Sequence, residues 1–508
     1  MRRIFMFLLA SIACFSCVAC NIGNSPESSF QGSDVELWEK DLTNYDVYGQ
    51  ETRIEYGFAW KPAQRDGYVG DPMPYYENGV YHIFYLKDEG GSLRHSVYRV
   101  DTTDFIHYED KGLVLESRSI AYQDYWIGTG SVVKAGNDYY LFYTAHNPNK
   151  EDVWEKVMVA KSEGNLDNFV RVPNFEIAPP AQYNQRDFRD PQVFFNEETN
   201  SFDMTVETNR NGKARIAKFN ISLDLKNVIH EGDLYVDEKY GFWNLECADI
   251  FEHNGKYYLT YSAQGNPMDT VWIAESDEMF GTYVNHRRIE GLHFYAAKTV
   301  TGADGTYLVG WLYRKQDNTN GICDDAAKYW GGHLVVHKIE FDSNGKAYLA
   351  PLAGYEDYYG YQADILSSES VSFAKNQNAK TKFAEGRESY MITGDFTYSG
   401  ENKFGIVLGY NDNYQRYISY YPEEKKLAFS LKSRITTEAE VHAELTEGQK
   451  YSFVYVQEGS VGIFYIKGVA GLSFRVYGIN NKRIALYSNG SAVNFENLKY
   501  FLRVKQEV

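Results

Sequence analysis

The sequence predicts an all-β chain, a five-bladed β-propeller followed by a C-terminal β-sandwich, on three observations. Tyr and Phe number 44 and 30 among 508 residues, against 12 Pro, and aromatic side chains favour pleated, half-buried strands over disorder. A turn rich in Gly, Asn and Asp, followed by an aromatic-alternating strand, recurs five times between residues 77 and 311. After Pro351 that period stops, and shorter alternating strands run toward the C-terminus.

The five hairpins set the first domain. They are Glu77-Asn78-Gly79 before Val80 to Tyr85, Ala135-Gly136-Asn137-Asp138 before Tyr139 to Thr144, and Glu198-Thr199-Asn200 before Ser201 to Val206. His253-Asn254-Gly255 before Lys256 to Tyr261, and Ala303-Asp304-Gly305 before Thr306 to Trp311, complete the set. Taking Tyr81, Tyr139, Phe202, Tyr257 and Tyr307 as equivalent, the intervals are 58, 63, 55 and 50 residues, the length of one four-stranded blade each time. A sandwich of this length would show no such period. The propeller is assigned to 47–352 and the sandwich to 353–508, where Tyr390-Met391-Ile392-Thr393, Gly405-Ile406-Val407-Leu408, Leu427-Ala428-Phe429-Ser430, Tyr451 to Tyr455 and Gly462 to Tyr465 read as strands.

Ahead of the propeller, Arg2 and Arg3 precede the apolar run 4–15 and then Val18-Ala19-Cys20. This reads as an export signal over 1–20, too short to span a bilayer. Its end resembles a bacterial lipobox with Cys20 as the lipidated residue, followed by a polar tether over 21–46. The expectation is an exported bacterial lipoprotein, periplasmic or on the cell surface, anchored to a membrane by lipid. The net charge of −18 disfavours nucleic acid, whose phosphates need clustered Lys and Arg; a neutral carbohydrate fits better. Three of five Cys lie in the leader, and Cys247 and Cys323 form no disulfide framework or zinc spacing. No metal and no cofactor is expected.

The residue opening the strand before each turn lies ten to twelve positions ahead of the aromatic marker: Asp71, Gly128, Asp190, Glu246 and Ala296. First strands of propeller blades line the central channel, so equivalent positions converge from different blades, and three acids distant in sequence would meet in one pocket. Like charges at close range push one pKa up and leave another low, the split that glycosidic cleavage needs. Taken singly, an Asp before Pro is turn chemistry, and Arg189 beside Asp190 reads equally as a structural ion pair. The shared register argues for the catalytic set Asp71, Asp190 and Glu246. Arg189, Trp60, Tyr68, Trp126 and Trp243 are candidate substrate-binding residues, the aromatic rings as stacking walls.

At these residues the chain resembles glycoside hydrolase family 32, the invertase, inulinase and levanase family. Asp71-Pro72 matches its first-blade motif, Arg189-Asp190-Pro191 its Arg-Asp-Pro and Glu246-Cys247 its Glu-Cys. Phe294 to Thr299 and Trp330-Gly331-Gly332-His333-Leu334 are weaker echoes. The resemblance implies a retaining glycosidase cleaving β-fructofuranosidic bonds in fructans or fructo-oligosaccharides. It implies Asp71 as nucleophile, Glu246 as acid and then base, and Asp190, assisted by Arg189, binding fructose hydroxyls. It also implies a C-terminal sandwich. The chain departs from the family's Asn-Asp-Pro-Asn-Gly, reading Gly70-Asp71-Pro72-Met73-Pro74, and carries Gly128-Thr129-Gly130 where Trp-Ser-Gly is usual. Two polar contacts to the fructosyl unit are thereby missing, as in divergent members. Alternatives are a fructotransferase, a related-fold arabinanase or xylosidase, and a non-catalytic sugar-binding lipoprotein.

Overall fold

The computed structural model describes residues 57–63, 67–89, 94–265, 270–316, 327–410, 415–431, 437–479 and 482–503. The expected signal, Cys20, the tether and Cys323 lie outside the described residues.

The five repeats fold as five four-stranded antiparallel blades. Their inner strands are Gly67–Glu77, Trp126–Ala135, Phe188–Asn196, Asn244–His253 and Phe294–Gly302, in blades I to V. Each inner strand touches the next, and the fifth touches the first, which closes the ring. The long strand Ala327–Phe341 of blade V also pairs with the inner strand of blade I at Val69 and Gly332, joining first and last blades in one sheet.

Local chemistry explains the hairpins. Asn78-Gly79 and Asn254-Gly255 have φ of 52° and 84°, and 52° and 78°, the doubly left-handed pair of a two-residue turn that matches strand twist. The aromatic markers then enter the second strand of each blade. Tyr81, Tyr139 and Tyr307 are buried, and Phe202 has no exposed surface; these rings fill the space between neighbouring blades.

A four-residue helix, Tyr355–Tyr358, leads from the propeller into two packed antiparallel sheets. One contains Ala492–Leu502, Ser389–Ser399, Tyr451–Glu458, Val461–Ile466 and Ala470–Arg475; the other contains Arg483–Asn489, Phe404–Leu408, Arg416–Tyr421 and Lys426–Leu431. Phe396, Phe404, Phe453 and Phe495 meet between them. Val456, Ile463 and Tyr465 instead pack with propeller residues such as Leu334 and Val336, so one core crosses from blade V into the sandwich. Arg475, 1% exposed, reaches across the same boundary and donates to the carbonyls of Leu312 (2.7 Å) and Tyr313 (2.9 Å) and to Ser460 Oγ (2.7 Å). The sandwich therefore braces the strand that carries Trp311.

Candidate active site

Every inner strand carries an irregularity at the same height. In blades I, III, IV and V two residues oppose one: Asp71-Pro72 face Tyr85, Asp190-Pro191 face Val206, Cys247-Ala248 face Tyr261, and Ala296-Ala297 face Gly310. In blade II the shift falls at Thr129. The first bulge residue is left-handed in all four pairs, with φ of 34° at Asp71, 57° at Asp190, 54° at Cys247 and 51° at Ala296. Such a conformation costs a non-glycine residue roughly 1–3 kcal/mol and persists only where the surrounding ladder over-determines it.

This geometry corrects the register read from sequence. Asp71, Asp190 and Ala296 are equivalent, but their partners in blades II and IV are Thr129 and Cys247, not Gly128 and Glu246. Glu246 lies one residue earlier, level with Gly70, Gly128, Arg189 and Tyr295. Two adjacent rings of residues thus line the channel, and the acids are divided between them.

Within the first ring, neighbours in space are neighbours in blade order. Arg189 Nη1 donates to Glu246 Oε1 at 2.9 Å, and the Tyr295 hydroxyl donates to Glu246 Oε2 at 2.6 Å. Arg189 is itself held by Glu155 (3.0 Å), Asp187 (2.5 Å) and the fully buried Glu207 (3.4 Å), and His146 Nδ1 lies 2.9 Å from Glu155. Burial pushes Glu246 up to about 7; the Arg189 charge opposes that rise, the Asp190 charge adds to it, and the Tyr295 bond again lowers it.

In the second ring, Asp71 accepts from Thr129 Oγ1 at 2.8 Å and from Trp311 Nε1 at 3.0 Å. Burial and then the Asp190 charge raise it to about 6, against the pull of those two bonds. Asp190, 4% exposed, accepts from the Cys247 amide at 2.7 Å, and its own amide donates to Thr144 Oγ1 at 2.8 Å. Burial raises its pKa, while Arg189, the Cys247 amide and buried Lys298 pull it down. Cys247 is a free, buried thiol. The three acids lie close enough to act on one another: the Asp190 charge raises both Asp71 and Glu246, and burial raises all three. No cluster with metal-ligand character occurs among the described residues.

The aromatic candidates separate. Trp60 is 8% exposed and lies edge-on to Tyr85 at 5.6 Å and against Tyr108 at 5.7 Å; it is core and not a sugar wall, because it precedes blade I and packs on its strands. Tyr68 is also 8% exposed, its ring covered by Arg314 at 4.1 Å and Lys61 at 5.1 Å, so that face is already taken. Trp126 is half-buried and stacked on His146 at 4.8 Å. Trp243, three residues before Glu246, is 46% exposed and keeps an open ring.

Residues not singled out from sequence carry much of the site. Thr129 and Trp311 hold Asp71, Tyr295 holds Glu246, and Glu155, Asp187 and Glu207 hold Arg189. Met73 is turned into the seam between blades: it is 1% exposed, and its sulfur accepts from the Gly130 amide at 3.1 Å, tying blade I to blade II.

Residues 63–351, more than half of the chain, match the model of the glycosyl hydrolases family 32 N-terminal domain. Sucrose-6-phosphate hydrolase of Vibrio alginolyticus is 26% identical over 341 residues, covering 63% of this chain and 66% of that protein. The levanbiose-producing levanase of Geobacillus stearothermophilus is 22% identical over 382 residues, covering 68% and 91%. The chain spans 66%, 54% and 56% of three of its matched relatives, the latter two a rice β-fructofuranosidase and a wheat fructan 6-exohydrolase. The fold is shared with fructan 1-exohydrolase IIa from Cichorium intybus, at a TM-score of 0.71 and 15% identity over 90% of this chain and 98% of that one. With that match over more than half of the chain, on a closed five-bladed ring followed by a sandwich, the chain belongs to glycosyl hydrolase family 32.

Proposed function

We propose that the protein is a retaining β-fructosidase acting on fructans or fructo-oligosaccharides. The observation that carries this reading is the different company of the two acids: Glu246 is held between Arg189 and Tyr295, and Asp71 between Thr129 and Trp311. Burial raises both carboxyls, while two hydrogen bonds favour ionised Asp71; an ionised Asp71 beside a protonated Glu246 is the form a double displacement requires.

In the first step an Asp71 oxygen attacks the anomeric carbon while the glycosidic oxygen leaves with the Glu246 proton, forming a fructosyl ester. In the second, the Glu246 carboxylate takes a proton from water, the water oxygen attacks the same carbon, and the ester bond to Asp71 breaks. Asp190, oriented by the Cys247 amide, accepts hydrogen bonds from fructosyl hydroxyls. The activities for which the matched relatives are named, sucrose-6-phosphate hydrolase, levanase and fructan exohydrolase, all concern fructosides and support this substrate class.

Incubation with sucrose, inulin and levan, followed by chromatography and NMR of the nascent anomer, tests the reading. Release of fructose with retained configuration, lost in Asp71→Asn, is expected. Inverted product, arabinose release from arabinan, or sugar binding without turnover would overturn it; longer or anhydride products would make the enzyme a fructotransferase. We also propose export and lipid anchoring through Cys20, from the basic, apolar and Val18-Ala19-Cys20 pattern. Cys20→Ser should release activity from the membrane fraction, and unchanged partitioning would refute the anchor.

A further inference from the structure

In the first ring Arg189, Glu246 and Tyr295 contribute side chains, whereas blades I and II contribute glycines, Gly70 and Gly128. The space beside Gly70 is filled nonetheless. A Cβ placed on Gly70 would lie 2.1 Å from Cη2 and 2.3 Å from Cζ2 of Trp330, far inside contact distance. Trp330 arrives from the long strand of blade V, next to the Val69–Gly332 pairing that joins the two blades. Its indole stacks on His95 at 4.0 Å and 22° and lies 5.7 Å from Trp311, whose Nε1 donates to Asp71. Arg314 Nη1 holds the Trp330 carbonyl at 2.9 Å. The ring is therefore fixed immediately beside the residue preceding Asp71, yet remains half-buried rather than enclosed.

The geometry points to Gly70 and Trp330 as one specificity-determining unit: the indole occupies the volume of any side chain at position 70 and gives the sugar pocket an aromatic wall beside Asp71 instead of a polar one. This inference rests on the reading of Asp71 as the nucleophile toward a fructosyl unit. The face of the indole, which carries no donor, stacks on the carbon face of the furanose and reads the hydroxyl on that side weakly. A pocket built to hydrogen-bond a hydroxyl rejects the analogue lacking it by about 10⁴–10⁵, whereas an apolar wall discriminates by only about 10–200-fold. The substrate class is accordingly β-fructofuranosides, including those deoxygenated or substituted at the hydroxyl facing blade I.

The test is a size-swap cycle on the full-length protein, Gly70→Asn, Trp330→Ala and the double variant, assayed with sucrose and its monodeoxyfructosyl analogues. Trp330→Ala should raise KM about tenfold with kcat within about threefold, since it removes ground-state stacking. Gly70→Asn alone should lose about 100-fold in kcat/KM. The double variant should recover about tenfold over Gly70→Asn and reject one deoxy analogue at least about tenfold more strongly than the wild type. Additive single effects, or an unchanged KM in Trp330→Ala, overturn the inference. Should Gly70→Asn fail to fold, Trp330→Phe decides: it keeps the aromatic face, so KM stays within about threefold of wild type, and a loss matching Trp330→Ala overturns the wall. A wild type inert toward every β-fructoside overturns the functional reading instead. The thermal midpoints of the same four proteins then still report whether Trp330→Ala relieves Gly70→Asn.

Discussion

Tyr295→Phe isolates the tuning of the acid. The substitution removes one hydroxyl, which donates to Glu246 Oε2 at 2.6 Å, and keeps the ring that packs on Trp311 at 6.0 Å and Tyr313 at 5.7 Å. That bond favours the ionised carboxylate, so its loss must move Glu246 further up from about 7. A hydrogen bond to a charged group contributes about 1.5–3 kcal/mol, and 1.36 kcal/mol is one pH unit, so the shift is about one to two units. At pH 8 a group near 7 is about one-tenth protonated, whereas one at 8 to 9 is about half to nine-tenths protonated. The acid-competent fraction at pH 8 therefore rises about five- to ninefold. The assay is kcat/KM for sucrose from pH 4 to 10. The basic limb should move up while the acidic limb, set by Asp71 near 6, stays in place. A basic limb that stays put or moves down would refute the assignment of Tyr295 as the residue that lowers the Glu246 pKa.

Thr129→Val removes the 2.8 Å donor to Asp71 Oδ2 and should raise the acidic limb by about one unit, costing about tenfold in kcat/KM at pH 5 and little at pH 8. Arg189→Lys replaces a fork that contacts Glu155, Asp187, Glu207 and Glu246 with a point charge. With the charge kept but the fork's shared bonds lost, at about 1.5–3 kcal/mol per hydrogen bond to a charged group, a loss of about 3 kcal/mol or more should be read as a lower urea midpoint, together with loss of turnover. Arg475→Met orphans the carbonyls of Leu312 and Tyr313 and Ser460 Oγ; at about 1–3 kcal/mol per buried acceptor, a loss of about 3 kcal/mol or more should appear in denaturant unfolding.

The blades were legible because their signal is local: an Asn-Gly turn and an aromatic second strand are set by neighbouring residues. The position of Glu246 was not legible to one residue. From the true bulge residue to the aromatic marker the count is ten in blades I, II and IV, with Asp71 to Tyr81, Thr129 to Tyr139 and Cys247 to Tyr257, but twelve in blade III and eleven in blade V. Differing hairpin lengths spread the count by two, and counting back cannot resolve an offset of one. The aromatic walls were less legible still. With Phe, Trp and Tyr making up 16% of the chain, nothing local distinguishes buried Trp60 from Trp311 or Trp330, which matter because of what blade closure sets beside them.

The one-residue offset also bears on how a single channel can hold two carboxylates in different protonation states. In one ring, mutual repulsion would split neighbouring carboxylates without deciding which of them keeps the proton. The two rings instead give them different company, a guanidinium and a phenol for Glu246, a hydroxyl and an indole for Asp71, separated along the strand by a rise of about 3.3 Å. The second ring has room for Asp71 and Asp190 because its other members, Thr129, Cys247 and Ala296, are small. Cys247 serves there through its backbone, whose amide binds Asp190, while burial holds its thiol well above the usual range and keeps it unreactive. Cys247→Ser should therefore leave the limbs of the pH profile in place, and a moved acidic limb would show that the thiol itself is part of the charge balance.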